Sequence, residues 1–278
     1  MNRVSSILRR AALALVSASV AGSMAASGAE PKVPKPEEGK VDGSGKFTPA
    51  FIEPNLRDTP PVPTDIRAFA MSLVREREDG VLSIGKVTAD PETKEITLPA
   101  QVNAVEGTVE YALVTRGGKV HESLLATDAS PVHLHLAVLL LGLAPTNANA
   151  PLPQFAMEVE WRGNGSARRA ALEDLIVRAK ESPEGPAKGT LRCPAWEYGG
   201  SRVVEGRLMA AVEGSVISLI SDPMALVNVP RLGPVDDRLY APNKGRLPAL
   251  GMPVTLRLKP VPAKSPASSS PAPTPATP

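Results

Sequence analysis

The sequence predicts an α+β domain in which an antiparallel sheet built from hairpins packs against a buried helix. Three observations predict it. Residues 109–115 and 120–126 read as strands, and the Gly117-Gly118 pair between them can supply the positive φ angles of a tight two-residue hairpin turn. Ser130-Pro131 reads as a helix start: the serine can cap free N–H groups, and proline at the first helical position lacks only an N–H that would go unbonded anyway. The run behind it, residues 132–143, is apolar almost all round and too short to cross a bilayer. It is expected to lie buried against the sheet and to end at Gly142.

Ahead of this centre, Ile66, Phe69, Ala70, Leu73 and Val74 recur at helical spacing behind Thr64, with residues 75–79 as the solvated charged end of that helix. Residues 81–88 and 95–102 read as a first hairpin around Asp90-Pro91-Glu92-Thr93. Beyond the apolar run, residues 155–161 read as a strand, Gly163-Asn164-Gly165 as a turn, and residues 166–177 as a strand or short helix. Residues 196–204, 206–212 and 215–221 read as strands, the last two joined at Glu213-Gly214. Asp222-Pro223 opens a helical turn through Asn228, and residues 254–258 supply a final strand.

The flanks have a different character. Residues 1–29 have the tripartite pattern of a secretory signal, with Arg3, Arg9 and Arg10 ahead of a small-residue apolar stretch and Ser27-Gly28-Ala29 as a cleavage site. Export to the periplasm or the extracellular space is expected, with no stable transmembrane helix after cleavage. Residues 30–63 read as a disordered Pro-rich linker and 260–278 as a disordered Pro/Ala/Ser tail, leaving 64–259 as one domain.

Composition excludes several functions. Removing three arginines with the signal takes the net charge from +2 to −1, which leaves no basic excess for nucleic-acid phosphates. Cys193 is the only cysteine, so an internal disulfide, a Cys-built zinc site and a Cys-ligated iron–sulfur cluster are all ruled out. It reads as a small buried thiol, with an intermolecular bridge as the alternative. No Gly-rich phosphate loop joins a strand to a helix, and Trp161, Trp196, Tyr198 and Tyr240 are too scattered for a stacking platform.

Several stretches occur in a telling order: residues 98–103, Gly107-Thr108-Val109-Glu110-Tyr111, Gly118-Lys119-Val120-His121-Glu122-Ser123-Leu124, the Ser130-Pro131 helix ending at Leu141-Gly142, Gly200-Ser201, Gly214 to Leu219, Asp222 to Asn228, and Gly251 to Leu256. In that order and spacing they resemble the YdjY-like domain of bacterial envelope and exported proteins. The resemblance spans about residues 81–259. It implies a domain of unknown function with no established active site, so no catalytic residue carries over from it.

All three histidines fall near the centre of the chain. If Gly117-Gly118 forms a hairpin turn, Leu113 faces Glu122 and Tyr111 faces Leu124, which points the Glu122 carboxylate toward the core. There it would be paired, capped or raised in pKa. His121 would point the other way, and His133 and His135 would diverge on a helix. Ser123 beside them cannot form a triad, because strand neighbours alternate faces. Two functions are carried forward. The first is a non-enzymatic exported domain with a binding or structural role toward an envelope or extracellular protein, needing no cofactor. The alternative is a metal-dependent or acid–base enzyme using Glu122 with His121 or His133, candidates both for catalysis and for metal ligation.

Overall fold

The computed structural model describes residues 66–145, 150–163, 165–178, 191, 193, 195–230 and 240–262. The expected signal, the linker and all of the tail beyond 262 lie outside the described residues. The elements in chain order are α1 (Ile66–Leu73), β1 (Val74–Glu76), β2 (Leu82–Ile84), β3 (Val87–Ala89), β4 (Ile96–Val102), β5 (Tyr111–Thr115) and β6 (Ser123–Thr127). Then come α2 (Pro131–Leu140), β7 (Gln154–Gly163), β8 (Ser166–Ala171), β9 (Ile176–Arg178), β10 (Trp196–Tyr198), β11 (Val203–Val204) and β12 (Arg207–Leu208). The chain finishes with α3 (Met209–Glu213), β13 (Ser215–Ser218), β14 (Val227–Asn228), β15 (Tyr240–Pro242) and β16 (Pro253–Val261).

The expected α+β sheet on a helix is not what forms. The main sheet runs β4-β16-β7-β10-β14-β13-β5-β6 and returns to β4 through Gln101↔Ala126 and Val102↔Leu125, so eight strands close into a barrel. Closure removes the open edges that a hairpin sheet would leave. The β1–β2–β3 meander hangs from the first half of β4, and β8 pairs with the β7 edge opposite β16, beyond the short β10 pairing. The interior is lined by alternate residues: Ile96, Leu98, Ala100 and Val102 of β4, Val254, Leu256 and Leu258 of β16, and Phe155, Met157 and Val159 of β7. That period of two, read in the sequence as strands, survives intact.

The central hairpin does not exist. β5 and β6 are paired in parallel, with Tyr111 opposite Ser123 and Leu113 opposite Leu125 rather than the expected Leu113–Glu122 and Tyr111–Leu124 pairs. The chain turns at Thr115, whose carbonyl accepts the Gly118 N–H at 2.9 Å. It then runs back through a 3-10 turn at Val120–Glu122 before β6 begins. Asn103 fixes this return by donating its amide to the Val120 and Ser123 carbonyls, and the Glu110 N–H bonds the Glu122 carbonyl. Gly118 serves a close approach and not a positive φ: an added Cβ would meet the Glu213 carbonyl at 2.9 Å and Gly214 Cα at 3.0 Å. A second parallel pair, β13 with β14, adjoins the first through antiparallel β13–β5 contacts. Two tight crossovers therefore lie side by side in the barrel wall.

The fold departs from other expectations as well. The charged run 75–79 is not a helix end, because Val74–Glu76 has already turned into β1. Gly85, at φ +56, splits the expected strand 81–88 into β2 and β3. The stretch 206–212 is a two-residue strand and then α3, so the expected hairpin at Glu213-Gly214 is replaced by a helix ended by left-handed Gly214. The segment after Asp222-Pro223 is a turn leading into β14, and β16 continues to Val261, past the expected start of the tail. α1 forms as expected. α2 also forms, with Pro131 at its first turn and Leu134, Leu136, Ala137, Val138, Leu139 and Leu140 buried. It packs against β2, β3 and α3, but the Ser130 side chain makes no cap hydrogen bond.

Candidate functional site

The two crossovers bring together polar residues that the sequence scatters over a hundred positions. Tyr111 opens β5, and the pleat turns its ring inward until it is almost fully buried. A buried phenol requires hydrogen-bond partners. Its hydroxyl donates to Asp222 Oδ2 at 2.9 Å, in the β13–β14 connection, and accepts from Lys119 Nζ at 2.6 Å, in the β5–β6 connection. One oxygen thereby ties both crossovers.

The rest of the cluster is acid and hydroxyl. Lys119 Nζ stands 4.8 Å above the Tyr111 ring centroid and 3.7 Å from Glu213 Oε2. Burial lifts the Glu213 carboxyl above its ordinary range, against the opposing pull of Lys119. The same desolvation, reinforced by the Asp222 charge, raises the Tyr111 phenol and keeps it a donor. Asp222 Oδ1 accepts the Met224 N–H at 2.8 Å, and Asn228 Oδ1 accepts the Asp222 N–H at 2.9 Å, so the second crossover is stitched internally. Ser215 Oγ is fully buried and lies close enough to the Tyr111 phenol to oppose the rise of its pKa, with no hydrogen-bond partner within 3.5 Å among the described residues. With the phenol locked between cation and carboxylate, this set holds geometry and is poorly suited to accept a proton.

Next to it the surface is concave. Leu152, Glu197, Gly199, Ser221, Asp222, Pro223, Asn228 and Val229 line an open recess of about 270 Å³ outside β10 and β14. Leu152 is 44 % exposed, one of four large apolar side chains at the surface among the described residues. Glu197 accepts a long hydrogen bond, 3.4 Å, from Gln154 Nε2. Asp222 belongs both to the recess and to the buried network, so the recess floor is rigidly supported.

The sequence-chosen residues are distributed differently. His121 Nε2 and Glu122 Oε2 lie 3.6 Å apart in the 3-10 turn, with the histidine side chain 66 % exposed. Glu122 is therefore not turned into the core, as an antiparallel register had implied. His133 packs instead against Gly85 in the β2–β3 turn, where a Cβ on the glycine would strike the imidazole. Burial lowers its pKa. His135 shares a short hydrogen bond through Nδ1 with the Tyr198 hydroxyl and stacks on that ring at 6.1 Å between centroids. Desolvation brings His135 down to about 4, so Nδ1 accepts and the phenol donates. Among the described residues no group of three or more His, Cys, Asp or Glu is placed to hold a metal ion. Cys193 is buried, its thiol pushed up to about 12 by desolvation, and its Sγ faces the Ala195 carbonyl.

A family model described as the YdjY domain matches residues 87–259. The chain belongs to the YdjY domain family. The matched segment starts at β3 and ends within β16, so it contains all of the closed barrel but the last two residues of β16, together with both crossovers and the recess. No curated protein and no solved structure matches the chain. The YdjY domain here also contains Tyr111, Lys119, Glu213, Ser215 and Asp222, none of which the sequence offered as a candidate site residue. The signal that could have found them is a tyrosine or serine inside a strand otherwise wholly apolar, since such a side chain must find a polar partner. Among the described residues no helix is long and apolar enough to cross a membrane.

Proposed function

We propose that this YdjY domain is an exported, non-enzymatic binding module that engages an envelope or extracellular protein at the recess outside β10 and β14. The observation that carries the reading is the recess itself, which joins an exposed apolar side chain, Leu152, to a carboxylate, Asp222, already anchored by a buried hydrogen-bond network. Preformed concave sites with a few fixed polar groups are what ligand binding favours, because little ordering entropy remains to be lost. The tripartite amino-terminal pattern supports export, and the proton-locked Tyr111 favours binding over acid–base chemistry.

The test is site-specific photocrosslinking in cells. A photoreactive side chain replacing Leu152 is expected to trap one discrete partner in the exported fraction, and the same group replacing exposed Leu250 is not. Identical patterns from both positions, or retention of the protein in the cytoplasm, would overturn the proposal.

A further inference from the structure

We infer that the recess accepts a single lysine side chain presented by an extended segment of a partner protein, a statement that rests on the binding role proposed above and gives that role its chemistry. The lining has two halves. Leu152, Pro223 and Val229 form an apolar wall, while Glu197 and Asp222 bring two carboxylates, with no basic side chain among the described lining residues. A lysine has the matching division, a four-carbon stem that covers apolar surface and a terminal ammonium that seeks acceptors.

The acceptors are available in different degrees. Both Asp222 oxygens are already bonded, to the Tyr111 hydroxyl and to the Met224 N–H, which fixes their direction and leaves further lone pairs. Among the described residues Glu197 is held by a long 3.4 Å contact from Gln154, so its carboxylate can turn toward an arriving ammonium. Asn228 uses its carbonyl oxygen on the Asp222 N–H and so stiffens the floor from the other side. Lys119, which shares the Tyr111 hydroxyl with Asp222, is already committed to Tyr111 and Glu213.

The open form of the recess decides between a free amine and a side chain. Small ligands gain affinity when most of their surface is enclosed. This recess leaves one side open, so a small diamine would be poorly covered, whereas a lysine on a larger partner is shielded by the segment that carries it.

The experiment follows backbone amide shifts of Gly199, Ser221 and Asn228 in the full chain. The titrants are an extended alanine peptide with one central lysine, the same peptide with norleucine, and cadaverine. The lysine peptide is expected to move these amides and to bind at least about tenfold more tightly than either of the others. Glu197→Gln is expected to weaken the lysine peptide about fivefold and to flatten its salt dependence. Leu152→Ala is expected to weaken both peptides; each change lies at the surface and leaves the barrel core untouched. Equal binding of the norleucine peptide would overturn the ammonium assignment while sparing the recess as a binding site. Equal binding of cadaverine would overturn the peptide assignment. Shifts confined to other parts of the barrel, or none, would sink both this inference and the binding role.

Discussion

Two groups of charged and polar residues in this barrel use the same chemistry in opposite settings. On the outer face of β4, β16, β7 and β8, Arg257 joins Glu95 and Glu160, Arg169 joins Glu160 and Glu158, and Lys259 joins Glu158. Inside, Lys119, Tyr111, Asp222 and Glu213 make fewer links around a buried phenol. The outer lattice has more ion pairs, yet each partner can fall back on water. In the inner cluster the Lys119 side chain is 36 % exposed, but the Tyr111 hydroxyl and Asp222 are buried, so losing the hydroxyl leaves a largely desolvated carboxylate short of a partner. Count of interactions is therefore a poor guide to what each group contributes, and substitutions can put that contrast to the test.

The largest effect is expected where the two crossovers touch. Gly214 has φ +74, and a Cβ there would lie 2.3 Å from Thr115 Oγ1 and 2.7 Å from Gly118 Cα. Gly214→Ala is expected to cost about 3 kcal/mol or more, since backbone strain and overpacking add. Urea unfolding would measure it, with a change below about 1 kcal/mol showing that the crossovers are not tightly engaged.

Next comes half-buried His135 with its buried partner Tyr198, a pair that separates burial from charge. The folded state holds His135 at about 4, below its ordinary value near 6.5, so the unfolded chain binds the extra proton first. Its neutral form is accommodated above about pH 6.5, and stability falls as pH drops from there toward 4. The total loss is on the order of 2 to 3 kcal/mol. Glu173 and Glu213, both lifted by burial, slope the opposite way, so the comparison must be made against a variant. His135→Gln keeps an acceptor near Tyr198 and is expected to flatten the acid limb of the stability curve. An unchanged limb would place the proton uptake elsewhere.

Within the inner cluster, Tyr111→Phe keeps the ring and removes only the bridging oxygen. Asp222 Oδ2 and Lys119 Nζ each lose a partner, and a loss of about 2 kcal/mol is expected by chemical denaturation. A loss under about 0.5 kcal/mol would mean that water replaces the hydroxyl, and the inner cluster would then behave like the outer one.

How much of this was legible depended on which faces a strand buries. β4, β7 and β16 alternate, because one face lines the barrel and the other meets solvent, and all three were read correctly as strands. Every residue of β6 and β13, and all of β5 but Thr115, is buried, so the pattern carries neither a face nor a direction. Such continuous runs are what parallel strands show, and the Gly117-Gly118 signal outweighed that clue. The glycine was informative in a different way: Gly118 marks backbone contact with Gly214, a partner that nothing local announces. The helix after Ser130-Pro131 was legible because its signals are local. The Tyr111 cluster was not, because its members meet only after two crossovers bring positions 111, 119, 213, 215 and 222 to one place.

The smallest effect is expected on the outer face, and it is the sharpest check on the contrast. Arg257 bonds Glu160 at 3.0 Å through Nε and reaches Glu95 through its terminal nitrogen, while Arg169 holds Glu160 at 2.8 Å from the other side. These hydrogen bonds keep the Glu160 carboxyl below its usual range, so its contribution is present above the unfolded pKa and disappears as pH falls through the folded one. Arg257→Gln removes both links but leaves Glu160 with Arg169 and with solvent. The expected loss is at most about 1 kcal/mol at neutral pH, shrinking further in high salt because exposed pairs are screened. The variant and the parent should also converge in acid, where Glu160 is protonated in both. A loss at neutral pH as large as that of Tyr111→Phe, insensitive to salt, would show that the lattice acts as one rigid network, and the distinction between buried and exposed ties in this barrel would fall.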